Sequence, residues 1–329
     1  MLFSFTLISG TLITISSTSW FTAWMGLEIN LLSMMPLMKN FNNKYSAEAT
    51  LKYFMTQALA SAVMIFSILL FSNLKSNLFE VSNMSAPLLN LALLMKMGAA
   101  PLHFWLPEIV SGISWNLNFI ILTWQKIGPS ILLFYTFFSS MYMSIFIILS
   151  TLMGSLNGIN QTCLRKLLVF SSINHIGWLL MNLNCSLNSW LIYFIIYSFI
   201  NMNIIFLLNL NKIYFTNQIN KMSPNKTMKF FFMMNFLSLG GLPPFIGFFI
   251  KWITINEAII NKLYSVTILM ILFTLLALFF YTRLTFSSLT LSMSENLFFY
   301  LNKPNFFSAL ITFLNLSSLI LCFSINSII

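Results

Sequence analysis

Apolar runs of about 20 residues follow one another along almost the whole chain, separated by short polar breaks. An α-helix needs about that length to cross a bilayer. Read between the breaks, the pattern predicts eleven spans, near 2–19, 20–38, 47–72, 83–103, 116–137, 140–159, 164–182, 187–210, 228–256, 263–286 and 305–325. The longest stretch outside them, 211–229, is too short for a core of its own. The first run lacks a basic flank and a cleavage site, so it reads as a true span rather than a signal peptide. The expected fold is an all-α polytopic membrane protein, one membrane domain over residues 1–329.

Two spans carry helix breakers at similar depth: Gly98-Ala99-Ala100-Pro101 in the fourth and Gly240-Gly241-Leu242-Pro243-Pro244 in the ninth. Proline removes a backbone donor and crowds the preceding turn, so both helices are expected to be discontinuous. Within a bilayer a broken backbone survives only beside protein or water. The breaks lie five spans apart, an odd number, which predicts two inverted five-helix repeats (1–137 and 138–287) followed by a C-terminal helix (288–329).

Loop charge tests this span count. Alternating sides puts Lys39, Lys44, Arg165, Lys166, Lys212, Lys221, Lys226, Lys229, Arg283 and Lys303 on one side and only Lys75 and Lys262 on the other. Such asymmetry follows the positive-inside rule, and a missed span would scramble it. The N-terminus is therefore expected in the matrix or cytoplasm and the C-terminus across the membrane.

Composition agrees. The 329 residues are 58% apolar and 7% charged, against about 25% charged in an ordinary soluble domain. The net charge of +10 is scattered along loops and spans without a basic stripe, so nucleic acid is not an expected partner. Cys163, Cys185 and Cys322 have no metal-ligand or CxxC spacing, and no GxGxxG or P-loop occurs. No metal, iron–sulfur or nucleotide site is expected in this chain. Asp is absent, Arg occurs twice, and Phe reaches 36 residues, a skew that fits an AT-rich gene.

Against that apolar background five ionisable residues stand out: Glu28, Lys52, Lys96, Lys126 and Lys251. Each costs roughly 2.5–3.5 kcal/mol at a helix centre on insertion scales, and such residues usually mark ion or proton paths. Lys96 directly precedes the first break, Lys126 lies mid-span in Thr123-Trp124-Gln125-Lys126, and Lys251 follows the second break. Lys52 is near the basic end of its span and is expected to snorkel to the surface. Glu28 is the one acid inside a span interior, so a counter-ion role for one of the lysines is expected. Lys96 is the expected partner, since neither charge has another obvious one in the first repeat, which would make the second and fourth helices close neighbours. His103, two residues past Pro101, is a candidate relay, since histidine titrates near neutral pH. His175 fits either a relay or a hydrogen-bonded packing role. Glu108 reads as a solvated loop acid, and Trp20, Trp105, Trp115 and Trp190 as interface anchors.

Five segments carry a resemblance. Residues 24–30 (WMGLEIN), 96–108 (KMGAAPLHFWLPE), 124–126 (WQK), 171–178 (SSINHIGW) and 235–245 (NFLSLGGLPPF) resemble, in order, those of the mitochondrial NADH dehydrogenase subunit 2 family, with a composition most like invertebrate members. The resemblance implies an antiporter-like core membrane subunit of respiratory complex I in the mitochondrial inner membrane. Its partners would be lipids and other complex I subunits, especially neighbouring antiporter-like ones. Family members of animals lack three spans of bacterial ones, in keeping with eleven here. The resemblance also implies that Glu28 and Lys96 form the charged pair of a first half-channel, that Lys126 lies on a central axis, and that Lys251 belongs to a second half-channel. Ile250 stands where the family often has proline. NADH, FMN, iron–sulfur clusters and ubiquinone would all be handled by other subunits, with no redox chemistry in this chain. Two rival readings remain at this level: a free-standing cation/proton antiporter, and a non-pumping structural spacer within complex I.

Overall fold

The computed structural model describes residues 1–40, 43–73, 79–136, 140–221, 226–243 and 245–289. The expected C-terminal span at 305–325, Pro244 and the basic residues Lys75 and Lys303 lie outside them. The described residues form α-helices almost throughout, and they divide into two compact units, Met1–Ser150 and Thr151–Ile329.

Unit 1 begins with α1 (Leu2–Ser16), α2 (Trp20–Met38), α3 (Lys44–Asn73) and α4 (Phe79–Met97). Two short helices follow, α5 (Trp105–Gly112) and α6 (Trp115–Leu122), then α7 (Trp124–Tyr135) and α8 (Ser140–Ile159), which runs across the boundary. Ser19 starts α2 with a capping box, its hydroxyl accepting from the Thr22 amide while the Thr22 side chain accepts from the Ser19 amide. α1 packs on α2, α2 and α4 each pack on α3, and α7 packs on α4 and α1.

Unit 2 contains α9 (Leu164–Cys185), α10 (Leu187–Leu210), a 3-10 turn (Thr216–Lys221), α11 (Lys226–Gly240), α12 (Ile246–Ile260) and α13 (Tyr264–Leu289). α9 packs against α10, α12 and α13 and is buried on every side from Leu167 to Leu183. Its polar residues, among them Ser171, Ser172, Asn174, His175 and Asn182, therefore face protein rather than lipid.

Outward-facing side chains such as Phe5, Leu51, Phe66, Ile195 and Leu272 are apolar and exposed. Among the described residues five helices are long and apolar enough to cross a membrane: Lys44–Phe71, Trp115–Tyr135, Met141–Ile159, Leu187–Leu210 and Tyr264–Phe286. A lipid-facing surface explains exposed apolar groups in those numbers, which water would oppose.

Both predicted breaks are present and share one geometry. α4 ends as Gly98 turns to φ +77°, and the Ala99 amide reaches back to the Leu94 carbonyl at 3.0 Å. α11 ends as Gly241 turns to φ +78°, and the Leu242 amide reaches back to Leu237 at 3.3 Å. This six-to-one closure over a left-handed residue is the Schellman cap, which strongly favours glycine.

The fifth span differs from the reading as one uninterrupted helix. Thr123 closes α6 and opens α7 at φ −119°, ψ −71°, with its hydroxyl bonded to the Phe119 carbonyl at 2.7 Å. Pro129 cannot donate to the carbonyl of Gln125, so the ladder is weakened just where α7 begins. Glu108 also differs, lying in α5 rather than in a loop. Trp105, Trp115 and Trp190 are buried inside the protein, so they act in packing rather than as interface anchors.

Candidate functional site

Glu28 extends from α2, Lys96 from the last turn of α4, and their charged atoms stand 4.0 Å apart. The Lys96 side chain is 4% exposed and that of Glu28 23%. The separation is beyond the 2.7–3.2 Å of a hydrogen bond, and the Glu28 Oε1 atom makes none, so charge alone joins the two. At an effective dielectric of about 20, unit charges about 4 Å apart attract by about 4 kcal/mol, against several kcal/mol to desolvate each ion. The last turn of a helix adds a favourable field for a cation. α2 and α4 both pack against α3, and these long side chains bring the two helices together.

The helix end beside Lys96 is well held. The Trp105 indole donates to the Met95 carbonyl at 3.2 Å, and the Gln57 amide lies 3.5 Å from the Lys96 carbonyl. These bonds satisfy acceptors that the broken helix would otherwise leave bare in an apolar setting.

Lys126 is 1% exposed in the first turn of α7, immediately after the Thr123 interruption. It shares one cavity with Lys96. The cavity measures ≈ 20 Å³ as space open to a water's centre, and its polar lining is Asn30, Tyr53, Gln57, Lys96, Gln125 and Lys126. Roughly 10–15 Å³ on that measure admits one water molecule. Leu27, Ile121 and Pro129 close its apolar side.

Unit 2 holds its lysine differently. Lys251 projects from α12 onto the broken end of α11, where its ammonium donates to the Gly240 carbonyl at 2.8 Å and lies 3.4 Å from that of Leu239. The bare carbonyls of a helix C-terminus are a natural cradle for a cation. Gly241 makes room for it, since a Cβ there would meet the Lys251 chain at 2.8–3.1 Å. The Trp178 ring centre lies 6.0 Å from the ammonium, at the outer limit of a cation–π contact.

His175, one turn before Trp178 on α9, is 3% exposed and its Nδ1 is 2.7 Å from the Tyr193 hydroxyl. Tyr197 packs against the same imidazole, with ring centres 4.9 Å apart. Sequence reasoning missed these tyrosines, because an uncharged tyrosine in an apolar span looks like any other aromatic. His103, buried at 1%, sits beside the first break and stacks on Phe104 at 4.5 Å.

Lys52 is 40% exposed and pairs with Glu48 at 2.7 Å and Glu108 at 2.9 Å. It reaches the surface as expected of a snorkelling lysine, and its second pair ties α3 to α5, which the sequence did not disclose.

A sequence model of the family described as NADH:quinone oxidoreductase/Mrp antiporter, TM, matches residues 17–277. The chain is 44% identical over 328 residues to NADH-ubiquinone oxidoreductase chain 2 of Anopheles gambiae, covering 97% of this chain and 96% of that one. The chain belongs to the NADH-ubiquinone oxidoreductase chain 2 family. The Locusta migratoria member is 41% identical over 297 residues, covering 90% and 87%. This family's fold is recognisable among solved structures: in respiratory complex I from Thermus thermophilus with bound aureothin, one chain superposes with a TM-score of 0.82 at 22% identity, over 95% of this chain and 75% of that one. A chain of the Mrp complex from Dietzia sp. DQ12-45-1b gives 0.76 at 15% identity, over 84% and 58%.

Proposed function

We propose that this chain is a core membrane subunit of proton-pumping NADH:ubiquinone oxidoreductase, respiratory complex I, and contributes an antiporter-like proton path through Glu28, Lys96, Lys126 and Lys251. The observation that carries the path is a water-sized cavity lined by both Lys96 and Lys126, with Glu28 beside the first of them. Burial opposes the charge of an amine, whereas a nearby carboxylate supports it. Opening or closing the Glu28–Lys96 gap would then change how firmly that lysine holds its proton. A wet connection to one side of the membrane and then the other turns that change into transport.

The finer architecture belongs to this reading. We take residues 1–137 and 138–287 as inverted repeats, a view supported by the matching Schellman breaks at Gly98 and Gly241. With an eleventh span at 305–325, the N-terminus lies in the matrix and the C-terminus in the intermembrane space, as the loop charges favour. Lys251 belongs to the second half-path, with His175 as a relay there, and His103 is a relay beside the first break. NADH, FMN, iron–sulfur clusters and ubiquinone are handled by partner subunits of the complex.

Replacement of Lys126 by Met tests this. Proton pumping by the assembled complex is expected to fall strongly, with NADH oxidation slowed only through coupling. Wild-type pumping by an assembled Lys126→Met complex contradicts a path through this residue and favours a structural spacer.

A further inference from the structure

The cavity between Lys96 and Lys126 has two polar side chains whose atoms are poised and unused. Asn30, 3% exposed on α2, carries the acceptor Oδ1, Gln125 on α7 carries the donor Nε2, and both residues line the cavity. Both atoms are buried and make no hydrogen bond. One is an acceptor and the other a donor. Leaving a buried polar atom unsatisfied costs about 1–3 kcal/mol, so the two together are a standing demand for a partner. Gln57, on the same wall, has its amide directed to the Lys96 carbonyl and is thereby distinguished from them.

We propose that Asn30 and Gln125 position a single water molecule that links Lys96 to Lys126. The inference rests on reading those lysines as the proton path. The water donates one O–H to Asn30 Oδ1 and accepts from Gln125 Nε2. One O–H and one lone pair are left, directed at the two lysines. The transfer balances within these groups. As an N–H bond of the Lys96 ammonium breaks, its proton joins the water oxygen. A proton already on that oxygen passes to a neutral Lys126 amine, forming a new N–H bond and restoring the water. The reverse transfer runs through the same atoms. The cavity's ≈ 20 Å³ holds one such molecule. Asn30 and Gln125 are positioning residues, for they hold the relay and carry no proton themselves.

The test uses the whole complex with Asn30→Leu and Gln125→Met together, beside Lys126→Met, reading protons pumped per NADH oxidised. That ratio is insensitive to how much complex assembles. The double variant is expected to lower it several-fold, towards the Lys126→Met value. A normal ratio in the double variant, with a reduced one in Lys126→Met, overturns the inference and leaves the path intact. Normal ratios in both overturn the path and the inference with it. Should the double variant fail to assemble, a high-resolution map of the unmodified complex decides. An ordered water within about 3.2 Å of both Asn30 Oδ1 and Gln125 Nε2 supports the inference, and a site without one overturns it.

Discussion

The 4.0 Å between Glu28 and Lys96 separates two roles that a buried ion pair can have. A hydrogen-bonded pair is a fixed strut, whereas one joined by charge alone leaves the ammonium free to exchange its proton with a neighbouring water. Removing one partner of a buried pair typically costs about 3–5 kcal/mol, while replacing both with apolar groups is often neutral. Glu28→Gln is therefore expected to lower the temperature at which the complex loses this subunit by more than Glu28→Leu combined with Lys96→Met does. A thermal series followed by native electrophoresis measures it, and equal losses would show that the charges are not coupled. At this scale the sequence disclosed the ionisable groups and little else. A lysine or glutamate is conspicuous in hydrocarbon because its insertion is costly, so Lys96, Lys126, Lys251 and Glu28 were legible. Asn30, Gln125, Tyr193 and Tyr197 were not, since neutral polar and aromatic side chains are ordinary in a span until packing shows what they face. Nor was the Lys52–Glu108 pair, which closes across two helices far apart in sequence.

At the scale of elements, the interruptions position the buried lysines. Lys96 lies in the last turn of one broken helix, and the Lys251 ammonium rests on the end carbonyls of another. The Gly and Pro clusters announced both breaks, because no other residues so plainly forbid a helix. The third interruption, at Thr123, was missed although Gly128-Pro129 follows Lys126 closely, since a proline inside a helix weakens its ladder upstream of itself. Gly241→Ala would force a side chain onto a left-handed residue, at roughly 1–3 kcal/mol, and push its Cβ into Lys251. Gly240→Ala would make only ordinary contacts, 3.5 Å or longer. Pumping is accordingly expected to drop in the first variant and to stay near wild type in the second. Comparable pumping by the two complexes would remove the case for a cradle shaped by Gly241.

For the whole molecule, hydropathy was enough to give the class, and the loop charges and break spacing gave a topology the solved relatives make testable. Within the assembled complex, residues 1–137 are expected to superpose on 138–287 after inversion through the membrane plane, with basic loops on the matrix side. A structure with both repeats in the same orientation would remove that topology. The proton path itself is tested most directly by comparing two lysines of opposite setting. Lys96 is buried beside Glu28 and a water-sized cavity, whereas Lys52 is 40% exposed and held by surface carboxylates. Proton pumping by the whole complex should fall sharply with Lys96→Met and remain close to wild type with Lys52→Met. Equal effects of the two substitutions would contradict a path through the buried lysines.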